Sequence, residues 1–235
     1  QKTCNFDCVY CEVIDRKAIA KRTGRPAIEP GDVVDELARE LDALAAGHEA
    51  VKDIAFAGDG EPSTFPRFFE LSRRVFDVRD ARSLLVPVVL ITNGSGLDRE
   101  EMRRAHDLFF ERGGVFWIKL DAGTEAFYRR VCRTAVPFDR ILSNLLAAAR
   151  RHPVVVQSLF FRWNGEAPAA GEIEAWARRL GDVVSGGGEI SLVQVYTVAR
   201  DTTEPGIKPL TTEELESIAE VVRRASPGLN VETFV

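Results

Sequence analysis

The chain has 235 residues, 45% of them hydrophobic, and a formal net charge of −5. That length suits one domain able to bury about 70–75% of its unfolded surface, and no apolar run approaches the roughly 18–20 residues a membrane span needs. The acidic balance argues against a general nucleic-acid coat, although a local basic patch can coexist with it.

In chain order, the cysteine-bearing residues 4–11 lead into a polar segment, 16–26, that ends in Pro26 and the Pro30-Gly31 pair. Val33, Val34, Leu37, Leu41 and Leu44 then recur at steps of three and four, which predicts a helix from about Asp32 that Gly47 closes. Residues 52–57 read as a short buried strand, and Pro66 opens a second helix carrying Phe68, Phe69, Leu71, Val75 and Phe76. The apolar run 87–92 suits a strand covered on both faces, ended by Asn93-Gly94. A helix over 99–112 and a strand over 115–121 follow. Helical segments 124–131 and 138–151 are separated by Pro137. Next come a strand over 153–161, a helix over 170–180, a glycine turn at 186–188 and a strand over 189–197. A last helix spans 212–224, capped by Thr211 or Thr212, and residues 229–234 form a short terminal strand. Strands alternating with amphipathic helices at this rhythm require parallel pairing and right-handed crossovers. Periodicity alone leaves two closures open, a doubly wound sheet and a barrel. Both put reactive groups at the carboxyl ends of the strands. No linker long enough for a second domain interrupts the chain, so 1–235 reads as a single domain.

The chemistry concentrates in Cys4-Asn-Phe-Asp-Cys8-Val-Tyr-Cys11, which holds three of the four cysteines. Such crowding is no disulfide framework, and a reducing cytoplasm is the expected setting. Gaps of four and three residues can point three thiols at one centre only from a loop, and a thiolate-bound metal is the natural occupant. Structural zinc wants four closed ligands. No Cys or His follows Cys11 until His48, and His48, His106 and His152 lie in or beside predicted helices. A four-iron cluster on three cysteines would leave one iron open to a small molecule. The rival reading is a zinc- or cluster-binding module without catalysis that recruits a protein partner.

This spacing, with Tyr10 just before the last cysteine, resembles the signature of the radical S-adenosylmethionine (SAM) superfamily. Gly58-Asp59-Gly60-Glu61-Pro62 is similar to its glycine-rich segment after the second strand. Residues 90–94 and 119–122 are similar to the ends of its third and fourth strands. Lys2-Thr3-Cys4 and residues 193–200 look closest to a bacterial branch grouped with wybutosine-synthase-like iron–sulfur oxidoreductases. The resemblance implies a partial (β/α)₆ TIM-like barrel whose first strand would lie upstream of Gln1. It also implies a [4Fe-4S] cluster on Cys4, Cys8 and Cys11. Reductive cleavage of SAM would then give a 5′-deoxyadenosyl radical that abstracts hydrogen from a substrate, with flavodoxin or ferredoxin as electron donor.

On that resemblance, Tyr10 packs against the adenine or the cluster, and Gly58, Asp59, Gly60 and Glu61 offer backbone groups to the SAM ammonium. Asp59 stands where the family pattern usually has glycine. Lys119 and Asp121 fall near the ribose or the methionine carboxylate, and Asn93 and Gln157 near SAM or substrate, with Phe161, Arg162, Gln194 and Tyr196 as further candidates. Cys132, the remaining thiol, is either a hydrogen-atom donor to a substrate radical or a buried structural cysteine. No second cysteine cluster exists to hold an auxiliary cluster. Arg16, Lys17, Lys21, Arg22 and Arg25 could grip an RNA or nucleotide. A solvated loop is the plainer reading of such a run, and a peptide or small metabolite is the other substrate class.

Overall fold

The structure is a computed structural model, described for residues 4–12, 29–57, 60–202 and 204–235. The basic 16–25 segment, Gly58 and Asp59 lie outside the described residues.

Helix α1 (Pro30–Ala46) has proline at its first turn and is followed by Gly47. Strand β1 (Ile54–Phe56) and helix α2 (Phe68–Ala81) come next, then β2 (Val88–Thr92) and α3 (Glu100–Glu111). Strand β3 (Val115–Lys119) leads to α4 (Glu125–Cys132), α5 (Phe138–Arg151) and β4 (Val154–Leu159). The two-residue β5 (Arg162–Trp163) precedes α6 (Ala170–Ser185) and β6 (Ile190–Tyr196). Strand β7 (Ile207–Lys208), helix α7 (Thr212–Ala225) and β8 (Val231–Phe234) complete the chain. At the start of α7, Thr211 and Glu214 cap each other's backbone, so Thr211 is the cap.

Six strands form one sheet in the order β1-β2-β3-β4-β6-β8, every pair parallel. This order decides between the two closures. A doubly wound sheet reverses its strand order at a switch point, whereas here each strand joins the same growing edge. The architecture is an α/β partial barrel, and β1 and β8 do not pair among the described residues. Strands β5 and β7 pair antiparallel in a small separate sheet that the apolar pattern does not reveal, being only two residues each.

Burial follows the pleat. Phe116 and Ile118 of β3 are fully covered, while Val115, Trp117 and Lys119 on the opposite face are partly open. Phe68, Phe76, Phe109 and Phe116 fill the layer between sheet and helices with edge-to-face and stacked contacts. The inner face instead carries a polar row: Lys119 is in register with Gln157, Gln157 with Gln194, and Gln194 with Glu232. Strand β3 stops two residues short of the expected 121. Leu120 N–H still reaches Gln157 O at 3.1 Å, but the Asp121 side chain takes the Leu159 N–H at 2.8 Å and displaces the ladder.

Helix α6 is seated by one glycine and one carboxylate. Glu172 accepts from Gly123 N, Thr124 N and Thr124 Oγ1, and a Cβ on Gly123 would overlap the backbone of Ala175 and Trp176. Gly123→Ala is therefore expected to destabilise the fold by about 3 kcal/mol, read from urea unfolding; a loss under ~1 kcal/mol would mean that α6 slides freely.

His106 lies flat on Phe116, with ring centroids 4.2 Å apart, and meets His152 edge-on, while Asp107 binds Arg151 and His152. Burial, then the neighbouring His152, lowers its pKa to about 3. Unfolding restores a value near 6.5, so below that pH the unfolded chain binds a proton that the folded chain refuses. Stability from this residue is complete above pH 6.5 and falls between pH 6.5 and 3, by up to about 1.4 kcal/mol per pH unit. His106→Phe should flatten unfolding free energy between pH 6.5 and 4; an unchanged slope would assign the acid sensitivity elsewhere.

Candidate active site

One cavity of about 170 Å³ opens at the carboxyl ends of β1, β2 and β3. Its wall includes Cys4, Cys8, Tyr10 and Cys11 from the loop, Gly60, Glu61, Asn93, Lys119 and Asp121 from the strand ends, and Cys132 from α4. Of the candidates expected from the sequence and described in the structure, Gln157, Phe161, Arg162, Gln194 and Tyr196 are not on this wall. Gln157 sits one strand over and donates to Gln194 Oε1 at 3.1 Å.

The cysteine loop has no ladder of its own and is held by distant partners. Asp7 N–H bonds Cys132 O at 3.0 Å, and Val9 N–H bonds Val131 O at 2.9 Å. Thr134 Oγ1 donates to Asn5 O at 3.0 Å. Asn5 also accepts from Asn93 Nδ2 and donates to Ser95 Oγ. Phe6 packs edge-on against Tyr128, with centroids 5.9 Å apart. Asn5, Phe6 and Tyr128 were not singled out from the sequence. Only the adjacency of Asn5 and Phe6 to Cys4 could have marked the first two.

Asp121 is the electrostatic centre. It accepts the Tyr10 hydroxyl and the Leu159 N–H and lies 3.4 Å from Lys119 Nζ. Lys119 also donates to the Tyr196 hydroxyl and stands over the rings of Tyr10 and Tyr196 at 5.2 and 4.9 Å. Burial works against the Lys119 ammonium, but Asp121 and Tyr196 outweigh it and hold its pKa above the ordinary value. Burial and Asp121 push the Tyr10 phenol well up, so it stays a donor.

Glu61 is 4% exposed and accepts from Thr92 Oγ1, Asn93 N and Ser63 N. Burial raises its pKa despite those three bonds. These bonds fasten Glu61 to the end of β2.

The donor set suits an iron–sulfur centre: three soft thiols on one wall beside apolar Phe6 and Tyr128. In this conformation no three Cys, His, Asp or Glu side chains among the described residues converge on a point. The Cys8 and Cys132 thiols instead neighbour each other, and that interaction lowers the Cys8 pKa against the effect of burial.

The family model for the radical SAM superfamily matches residues 1–168. The chain belongs to that superfamily. Membership implies an enzyme that uses SAM and a [4Fe-4S] cluster. The fold is similar to a radical SAM methyltransferase from Sphaerobacter thermophilus (TM-score 0.70, 14% identity, 100% of this chain and 64% of that one). It is also similar to anSMEcpe with bound AdoMet (TM-score 0.55, 14% identity, 99% and 61%). Among curated proteins, the GTPase Obg of Brachyspira hyodysenteriae is 26% identical over 219 residues, 92% of this chain and 29% of that protein. The UPF0026 protein MJ1312 of Methanocaldococcus jannaschii is 30% identical over 149 residues, 62% of this chain and 42% of that protein. The chain therefore spans less than half the length of both curated relatives. Among the described residues no helix is long and apolar enough to cross a membrane.

Asp121→Ala would leave the Lys119 charge buried and uncompensated, a change expected to cost about 3–5 kcal/mol in urea unfolding of the cluster-free protein. Tyr10→Phe removes one donor and should cost about 1–2 kcal/mol. Equal losses from the two would show that Asp121 does not hold the lysine.

Proposed function

We propose that residues 1–235 form a single radical SAM core in which Cys4, Cys8 and Cys11 hold a [4Fe-4S] cluster and the adjoining strand ends bind SAM. The observation that carries this reading is that all three loop thiols line the same cavity as Gly60, Asn93, Lys119 and Asp121. When bound, the cluster supplies one electron that splits SAM reductively and so begins hydrogen abstraction from a substrate.

The chain's own residues bind and orient. The glycine-rich segment 58–61, fastened through Glu61 to Thr92 and Asn93, offers backbone groups to the SAM ammonium. Lys119 and Asp121 meet the ribose or the methionine carboxylate, with Tyr10 fixing the loop to Asp121. Asn93 ties the loop to β2 through Asn5. Gln157 extends the polar inner face toward β6 and serves SAM or the substrate beside it. Cys132, considered from sequence as a hydrogen-atom donor, has its thiol against Cys8. The reductant is a small electron carrier such as flavodoxin or ferredoxin, and the setting a reducing cytoplasm. The substrate belongs to one of two classes, an RNA or nucleotide served by the arginine-rich 16–25 segment, or a peptide or small metabolite. Salt-sensitive RNA binding lost on neutralising Arg16, Lys17, Lys21, Arg22 and Arg25 would select the first.

Anaerobically purified protein should be brown and contain iron and sulfide in near-equal amounts, and Cys4→Ala, Cys8→Ala and Cys11→Ala should each lose most of the iron. Dithionite-reduced protein incubated with SAM should yield 5′-deoxyadenosine. Colourless protein with stoichiometric zinc would replace this reading with the non-catalytic metal module.

A further inference from the structure

We propose that Cys8 and Cys132 are an oxidative modification site: in the cluster-free chain they close a reversible disulfide that withdraws Cys8 from cluster binding. The inference rests on the reading of Cys8 as a cluster ligand, but its evidence is separate.

The Cys8 and Cys132 thiols lie beside each other on the wall of the cavity. Their backbones are also tied. The residues either side of Cys8 donate to carbonyls at the end of α4, Asp7 N–H to Cys132 O at 3.0 Å and Val9 N–H to Val131 O at 2.9 Å. These two bonds bracket Cys8 and set its backbone beside that of Cys132, the neighbourhood that a disulfide needs. Closing the bond therefore asks the two side chains to turn toward each other while both backbones stay held. Cys132 is the last residue of α4, fixed by a left-handed Arg133 cap (φ 45°), and is 3% exposed. Cys8 is partly exposed in the cavity, so a small oxidant reaches Cys8 first.

The step balances with a hydroperoxide as oxidant. The Cys8 sulfur attacks a peroxide oxygen as its thiol proton passes to the departing hydroxide, breaking the O–O bond and leaving a sulfenic acid and one water. Cys132 sulfur then attacks Cys8 sulfur, the S–O bond breaks, and the Cys132 proton leaves in a second water. Two thiols lose two electrons and two protons in all, and one hydrogen peroxide becomes two waters. A dithiol reverses the change by exchange. Without a resolving thiol, a sulfenic acid proceeds to sulfinic acid, which dithiols do not restore. Cys132 is placed to intercept Cys8 before that.

The experiment treats the full cluster-free chain, reduced and freed of thiols anaerobically, with one equivalent of hydrogen peroxide. Expected are the loss of two titratable thiols per chain and a Cys8–Cys132 cross-linked peptide in a non-reducing digest. At least a tenfold drop in iron taken up from ferrous iron and sulfide should follow, with recovery after dithiothreitol. Cys132→Ser should form no such peptide, should still take up iron when reduced, and after peroxide should carry sulfinic acid at Cys8 that dithiothreitol does not rescue. A dominant Cys8–Cys11 or Cys4–Cys8 link, or sulfinic acid at Cys8 in the wild type, would overturn the proposal. Reduced wild type that takes up no iron would instead sink the ligand reading, and with it the consequence of the cross-link, whether or not the peptide forms.

Discussion

A single carboxylate organises this molecule's interior. Asp121 stands at the carboxyl end of β3, where it receives the Tyr10 hydroxyl from the cysteine loop, the Leu159 N–H from β4 and the charge of Lys119 beside it. Each of those groups would be costly to bury alone. Together they satisfy one another, and the loop is thereby registered against two strands. The same contact stops the β3–β4 ladder, opening the sheet at the depth where the cavity begins.

The cysteine loop has no regular structure to define it, so its shape is a tertiary product. Its partners lie about 90 to 130 positions away in sequence: Asn93 and Ser95 after β2, Val131, Cys132 and Thr134 around the end of α4. Such contacts form only after the intervening strands have paired, since loop closure must be offset before distant contacts reward it. The thiols are consequently presented by the assembled barrel and not by the eight-residue motif itself.

This explains which features were legible in the residues. The apolar runs at 87–92 and 153–161 and the heptad-like stripe from Val33 to Leu44 are local signals, and the corresponding strands and helix stand within a few residues of their expected bounds. The choice between barrel and doubly wound sheet is not local, because it depends on which edge each strand joins. Lys119 and Asp121 were legible from the rule that strand ends collect site residues, whereas Cys4, Cys8 and Cys11 were marked by their spacing alone. Phe6 and Tyr128 escaped notice because an aromatic residue in a loop or helix carries no mark of its partner. Gln157 was expected at the site on its position at the end of β4. The pairing places it in register with Lys119, but its amide is turned to Gln194 one strand further on.

The inner row from Lys119 through Gln157 and Gln194 to Glu232 has a consequence for what can be bound. At its β3 end the lysine charge is balanced by Asp121, so the wall beside the cysteines is close to neutral despite containing an ammonium. Further along, the two glutamines share one bond, and each amide keeps donor and acceptor capacity beyond it. Neutral amides bond ligands of either charge, whereas the aromatic-flanked lysine prefers oxygen anions. The row therefore changes character along its length, from a charge-compensated lysine beside the thiols through uncharged amides to the Glu232 carboxylate on β8.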